Sequence, residues 1–140
     1  MMISTRGRYA LRVVTDLAQH TDSGYVPMKD IAQRQGISLK YLERILPVLS
    51  KNGIIEGLPG KGGGYRLAKS PAECTVGDIL RLTEGDLAPV VCLETEAAPC
   101  DRLQECPTYP LWVELYELIN DFFDRKTLAD ITKTARLSEF

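Results

Sequence analysis

The first 84 residues carry apolar side chains mainly at intervals of three and four positions, the period of a helix with one buried face. These intervals predict four helices, over residues 7–20, 28–35, 39–51 and 76–84. Ser4 or Thr5 is suited to cap the first helix, Ser38 the third and Thr75 the fourth. Pro47 predicts a kink within the third helix, because proline removes one backbone donor.

A β-hairpin is predicted between the third and fourth helices. Residues 54–58 and 65–68 are short β-prone runs, and residues 59–64 between them contain four glycines and Lys61. Glycine allows the backbone to approach another molecule closely. A nucleotide-binding loop is excluded, because no Gly-Lys-Ser/Thr follows and no helix begins after Gly64. The alternative to a functional wing is a flexible hairpin.

Residues 85–140 have a different pattern. Residues 85–109 are irregular and rich in proline and acidic residues, and helices are predicted over 110–124 and 128–136. Four residues of the long helix fall at 3-4-3 spacing, which suits pairing with a second helix: Trp112, Leu115, Ile119 and Phe122. Leu111, Leu118 and Phe123 widen this apolar surface, and packing within one protomer is the alternative.

These elements predict a mainly α fold with a small β-hairpin wing. A length of 140 residues fits one domain with an appended helix. We expect a winged helix-turn-helix domain over residues 1–84 and a cysteine-containing loop over 85–109. A long dimerisation helix and a short helix are expected over 110–140.

Residues 30–45 have the pattern of a helix-turn-helix. Ala32 lies at the helix crossing, Gly36 lies in the turn, and the positions predicted to face inward are Ile31, Ile37, Leu42 and Ile45. The second helix presents polar side chains near its N-terminus, where recognition helices meet base edges in the major groove: Ser38, Lys40, Tyr41, Glu43 and Arg44. The alternative is an ordinary helical hairpin with solvated charges.

The net charge of −2 conceals an asymmetry. Residues 1–70 carry 11 Lys/Arg and 5 Asp/Glu, whereas residues 71–140 carry 6 and 14. A basic half next to an acidic half indicates a polyanion partner, and chance segregation of solvated charge is the alternative. With the helix-turn-helix pattern, the expected partner is double-stranded DNA. The predicted DNA-binding residues are Arg8, Lys29, Ser38, Lys40, Tyr41, Glu43, Arg44, Gly60, Lys61 and Gly62.

No apolar run approaches the about 20 residues of a membrane-spanning helix, and no secretory signal is visible. We therefore expect a cytoplasmic protein without a membrane partner. In such a protein disulfides are not expected, and clustered cysteines are more often catalytic or metal-binding. One histidine and no nucleophile–base motif argue against an enzyme.

Three cysteines lie in the irregular segment, as Cys92-x7-Cys100-x5-Cys106. The spacing differs from the close pairs of zinc fingers and from the commoner ferredoxin patterns. On spacing alone, free surface thiols and ligands of an iron–sulfur cluster both remain open. Cys74 lies apart, among residues expected to pack, and is predicted to be a buried structural thiol.

Short motifs along almost the whole chain match one family of bacterial transcription regulators. They are Thr5-Arg6-Gly7-Arg8-Tyr9-Ala10-Leu11, Ile31-Ala32, Gly36-Ile37-Ser38, Tyr41-Leu42-Glu43, Lys51-Asn52-Gly53, Gly62-Gly63-Gly64-Tyr65, Val76-Gly77-Asp78-Ile79 and Leu111-Trp112. On these residues the chain resembles the Rrf2 family. Residues 84–90 look like its CymR-type branch, which governs cysteine metabolism and lacks the three cysteines. Cys92, Cys100 and Cys106 match the IscR-type branch, which binds an iron–sulfur cluster there.

The resemblance implies a homodimeric repressor or dual regulator that binds a palindromic promoter site. It also implies a 2Fe–2S cluster on the three cysteines, with cluster-assembly proteins as partners. The alternatives are a cluster-free CymR-type regulator and a thiol-redox sensor controlled by oxidation or by a partner protein.

This chain departs from the IscR-type pattern at the cluster loop. Seven residues separate its first two cysteines, where five are usual, and Tyr109 aligns with the expected histidine ligand. In a related nitric-oxide sensor branch the other subunit supplies an aspartate, and that position is Arg8 here. The fourth ligand stays open among Tyr109, Glu105, Glu94, a partner-chain residue and an exogenous thiol. The wing also departs, because Pro59 stands where IscR-type wings have an arginine.

Overall fold

The computed structural model describes residues 2–137, and side chains through residue 134. Its regular elements are α1 (Thr5–Ala18), α2 (Met28–Gln35), α3 (Leu39–Lys51), β1 (Ile55–Leu58), β2 (Gly64–Leu67), α4 (Val76–Glu84), α5 (Tyr109–Arg125) and α6 (Leu128–Leu137). Three short 3-10 turns lie at Thr21–Ser23, Pro71–Glu73 and Val91–Leu93. Met1 and residues 138–140, at the ends of two predicted segments, lie outside the described residues.

The predicted mainly α fold with a β-hairpin wing is confirmed, and so are the helices and the hairpin. Of the two possible caps for α1, Ser4 is used, since its Oγ accepts from the Gly7 N–H at 3.0 Å. Thr75 and Asp78 form a reciprocal capping box at α4. Helix α3 continues through Pro47 to Lys51, and the kink at that proline stays a prediction.

The main core surrounds α1, which buries Ala10, Val13, Val14 and Leu17. The residues predicted to face inward from the helix-turn-helix are all buried against it: Ile31, Ile37, Leu42 and Ile45. Each such large aliphatic side chain contributes about 1.5–3 kcal/mol by leaving water. The core therefore fixes α2 and α3 on α1.

The wing is anchored at its base by the connection between α1 and α2. Strands β1 and β2 pair antiparallel, and Val26 adds a short bridge with N–H···O distances of 2.8 Å to and from Tyr65. Gly64, at a φ of +151°, lies so close to the backbone of Val26 that a Cβ at this position would overlap the Val26 carbonyl group. The hairpin is consequently held against the helix-turn-helix.

Helix α5 is tied to α4 at its C-terminal end. Arg81 on α4 donates to Asp124 at 2.7 and 3.1 Å and to Asn120 at 2.8 Å. Tyr116, Ile119 and Phe123 pack against a second apolar cluster built on Val76, Leu80 and Leu87. One face of α5 therefore belongs to the interior of its own protomer. Within residues 2–137, no helix combines the length and apolarity needed to cross a bilayer.

Candidate functional site

The N-terminal end of α3 is presented to solvent. Gly36 adopts a left-handed conformation (φ 63°) and ends α2, and the Ser38 Oγ caps α3 by accepting from the Tyr41 N–H at 3.1 Å. One side of α3 is buried in the core, and four of the residues predicted to bind DNA lie exposed on the rest of the helix or at its cap: Ser38, Lys40, Glu43 and Arg44. Their positions suit a helix that enters a major groove.

Tyr41 lies differently from the fully outward position expected for it. Its side chain is half-buried and packs edge-on against Tyr9 of α1, with ring centroids 5.1 Å apart. Because an edge-to-face pair fixes ring orientation, Tyr41 links the recognition helix to α1.

The wing tip exposes all three of its predicted DNA-binding residues, Gly60, Lys61 and Gly62. Both glycines have positive φ values, 90° and 79°, which only glycine adopts readily. Farther down the wing, the charge of Arg66 is shared with Glu56 in an ion pair and with the ring of Tyr25, 4.4 Å away. Lys61 at the tip is thus well placed to approach a minor groove.

The two other predicted DNA-binding residues, Arg8 on α1 and Lys29 on α2, are also exposed. The Arg8 guanidinium donates to the Thr5 hydroxyl at 3.0 Å, within its own helix turn.

The three cysteines of the irregular segment are free thiols near the surface. Cys92 and Cys100 are exposed, and Cys106 is half-buried. The Cys106 Sγ lies 3.3 Å from the Thr108 Oγ1, and that hydrogen bond lowers the pKa of the Cys106 thiol from its usual value. In the part of the chain that the structure describes, no three His, Cys, Asp or Glu side chains are gathered as a metal site.

A family model described as Rrf2, an iron-dependent transcriptional regulator, matches residues 3–134. The chain belongs to the Rrf2 family. It is similar to the HTH-type transcriptional regulator IscR of Erwinia tasmaniensis, at 36% identity over 98% of this chain and 82% of the relative.

Solved structures of the Rrf2 family have the same fold. IscR of T. potens aligns with a TM-score of 0.79 and 35% identity, covering 100% of this chain and 92% of the other. CymR, described as the global cysteine regulator of B. subtilis, aligns with a TM-score of 0.79 and 34% identity, covering 96% and 98%. This Rrf2 chain is therefore a winged-helix transcriptional regulator, which is a non-enzymatic class of protein.

The donor chemistry of this Rrf2 chain fits an iron–sulfur cluster, because accessible thiolates are the ligands such clusters take. The structure does not bring the three thiols together as a preformed site. Among the suggested fourth ligands, Glu94 and Glu105 are exposed and Tyr109 is half-buried at the start of α5. None of these three is singled out by its contacts.

One polar network of this Rrf2 fold was missed by the sequence reasoning. Asp16 is 1% exposed and accepts hydrogen bonds from Arg34 at 2.9 and 2.7 Å and from Gln35 at 2.9 Å. Burial by itself would raise the pKa of Asp16, but these hydrogen bonds outweigh it and hold the pKa below the usual value. The sequence did contain one indication of this network, because Asp16 lies between Val13 and Leu17 on the side of α1 that the apolar pattern predicts to be buried.

Cys74 is buried in the core, as predicted, and burial raises the pKa of its thiol to about 11. We expect iodoacetamide to modify Cys92, Cys100 and Cys106 in the native, metal-free protein, and Cys74 only after unfolding in urea. Only the thiolate reacts, and Cys74 stays protonated and covered at neutral pH. Mass spectrometry of the alkylated peptides checks this, and equal native rates at all four positions would contradict it.

Proposed function

We propose that this Rrf2 regulator is a homodimeric repressor that binds a palindromic promoter site. An iron–sulfur cluster of the 2Fe–2S type on Cys92, Cys100 and Cys106 controls that binding. The supporting observation is the arrangement itself: an exposed recognition end on α3 and a wing anchored beside it, with a segment of free thiols between the DNA-binding elements and α5. The predicted division at residues 84 and 109 is part of this proposal.

The DNA interface consists of the residues predicted from the sequence. Arg44 and Lys40 contact guanine or phosphate, and Glu43 accepts from the amino group of cytosine. Lys61 supplies positive charge near the minor groove. Two copies of this surface, related by the dimer's two-fold axis, account for a palindromic site.

The dimer interface is an apolar stripe on α5 that the protomer leaves uncovered. Its four members are Leu111, Leu115, Leu118 and Phe122, which are 56%, 37%, 61% and 49% exposed. At about 100° per residue this stripe lies roughly 120° around the helix from Tyr116 and Phe123. Helix α5 can therefore pack on α4 with one face and on a second copy of itself with another.

Control of DNA binding acts through the cysteine segment. When bound, an iron–sulfur cluster supplies a link between thiolates that oxidants, nitric oxide or iron shortage removes. When the cluster is lost, Cys92 and Cys100 are no longer linked to Cys106, which lies three residues before the start of α5. This changes the ordering of the segment beside α5 and so biases the dimer between two DNA affinities. Cluster-assembly proteins in the cytoplasm would supply the iron and sulfide.

The decisive experiment compares iron, sulfide and DNA binding in matched variants. Anaerobically purified wild-type protein should contain iron and sulfide, with the visible absorption of a cluster. The Cys92→Ala, Cys100→Ala, Cys106→Ala triple variant should contain neither, and its DNA affinity should no longer respond to oxidants. Cys74→Ala, in the core, should keep the cluster. The cluster hypothesis is wrong if wild type binds no iron, or if the triple variant keeps the wild-type response.

A cluster-free thiol-redox sensor is the second candidate. The observation that favours it is the exposure of unpaired thiols, together with the lowered pKa of Cys106. It requires reversible disulfides in metal-free protein and a change in DNA affinity on their formation. Thiol titration before and after oxidation distinguishes it from the cluster, which needs iron.

A further inference from the structure

A small basic cleft lies where the start of α1 meets α3. It encloses about 290 Å³ and is lined by Arg6, Tyr41, Arg44 and Ile45. Its lining includes two guanidinium-bearing residues and one phenol, and no carboxylate. Arg6 was not among the residues predicted to bind DNA.

Packing between the two helices explains why these side chains meet. Arg6 and Tyr9 lie three positions apart on α1, and Tyr41 and Arg44 lie three positions apart on α3, so each pair shares a helix face. The edge-on contact of Tyr9 with Tyr41 then aligns the two faces. The arginines are thereby placed along one cleft by helices that the core holds rigidly.

The charge of the cleft lacks a partner within the described side chains. The basic residues that form salt bridges among the described side chains are Arg34, Arg66, Arg81 and His20. Neither Arg6 nor Arg44 forms one. Two arginines that line one cleft and form no ion pair with the described side chains suit an anion that binds between them. Guanidinium groups match the oxygens of phosphate particularly well.

We propose that this cleft binds one phosphate of the DNA backbone, held by Arg6 and Arg44 with the Tyr41 hydroxyl as a further donor. The inference rests on the proposed DNA-binding function and adds a site to it. The cleft lies on the same helix as the exposed residues Ser38, Lys40 and Glu43, so it borders the surface offered to a groove. A phosphate held there fixes the register of the recognition helix without reading sequence.

The main test measures how DNA affinity depends on salt. The probe is a duplex selected by the wild-type protein from a random-sequence pool. Arg6→Gln and Arg44→Gln should each weaken binding about tenfold and reduce the slope of log K against log salt by about one per chain. Both side chains are exposed, so folding should be unaffected. Arg6→Lys should recover most of the slope, and the charge-matched control Lys133→Gln on α6 should match wild type.

A neutral phosphate analogue tests the contact itself. Single methylphosphonates are placed in turn along the selected duplex. At one position the methylphosphonate should weaken binding by the wild type. It should not weaken binding by the Arg6→Gln, Arg44→Gln double variant, because that variant already lacks the two guanidinium charges that would contact this phosphate. Coupling of this kind arises only between groups that interact.

The outcomes separate the two levels of the proposal. If the wild type binds no duplex at low salt, DNA binding itself is wrong. If it binds with a steep salt dependence while Arg6→Gln keeps the full slope, only the phosphate cleft is wrong. Replacing chloride by inorganic phosphate at constant ionic strength adds an arm. Competition with DNA that is lost in Arg6→Gln supports the backbone contact. Phosphate that binds the wild type in an Arg6-dependent way without weakening its DNA affinity would assign the cleft to a free anion and overturn the backbone contact.

Discussion

Replacing Asp16 by alanine should lower the free energy of unfolding by about 2–4 kcal/mol, although the residue contacts no proposed ligand. The substitution removes the acceptor for two hydrogen bonds from Arg34 and one from Gln35. Arg34 is partly exposed and can turn to water, which limits the loss. A cavity also remains at the buried side of α1, where the carboxylate had filled space.

Urea unfolding, with the midpoint and the slope fitted separately, measures this loss. Glu56→Ala is the matched control, because it removes an ion pair whose two side chains are 48% and 45% exposed. A surface pair of this kind contributes about 0–1 kcal/mol. Similar losses in the two variants would show that the Asp16 network has no special role in joining α1 to α2.

The lowered pKa of Asp16 also predicts a change of stability with pH, which the isosteric variant Asp16→Asn tests. The folded state lowers the pKa of Asp16 from 3.8, so its ionised form stabilises the fold above that pH. The contribution is lost as the pH falls from 3.8 through the lower pKa of the folded state. The stability difference between wild type and Asp16→Asn should therefore shrink as the pH falls through that acid range.

Local patterns accounted for most of the fold. The caps Ser4, Ser38 and Thr75 act on backbone groups within three residues of themselves, and the apolar periods report which side of each helix is buried. Gly36 likewise ends α2 through its own backbone conformation. These signals are contained in a few adjacent residues, which is why the helix boundaries could be predicted closely.

Contacts between distant residues could not be predicted in the same way. Asp16 and Arg34 are 18 positions apart, and the Tyr9–Tyr41 pair joins two helices whose relative rotation depends on the whole core. The basic cleft containing Arg6 follows from that rotation. The sequence contained the residues of both sites, but their meeting is a property of the packed helices.

The sequence also could not determine which apolar face of α5 packs inside the protomer. The 3-4-3 spacing predicted a pairing seam of Trp112, Leu115, Ile119 and Phe122, with packing inside one protomer as the alternative. The structure turns Ile119 toward α4 and leaves Leu115 and Phe122 exposed, together with Leu111 and Leu118. A helix with apolar residues around more than half of its circumference fits both uses, and only its neighbours decide which face stays open.

Leu118→Glu should convert the proposed dimer into monomers and weaken binding to a palindromic duplex by about a hundredfold or more. Leu118 is the most exposed of the four apolar residues on the stripe. In a two-fold dimer the substitution places two carboxylates in one apolar interface, where burying a charge without a partner costs several kcal/mol. Each monomer would keep its recognition helix and wing, so weak binding to a single half-site should survive.

Sedimentation velocity measures the oligomeric state, and a titration against palindromic and single half-site duplexes measures the affinities. Glu117→Ala is the control, because Glu117 is an exposed residue of the same helix that lies outside the stripe. It should sediment and bind as wild type does. If Leu118→Glu still sediments as a dimer, the copies associate through another surface. If it is a monomer with unchanged affinity for the palindrome, the two recognition helices do not bind as a pair, since linking them is what raises the affinity.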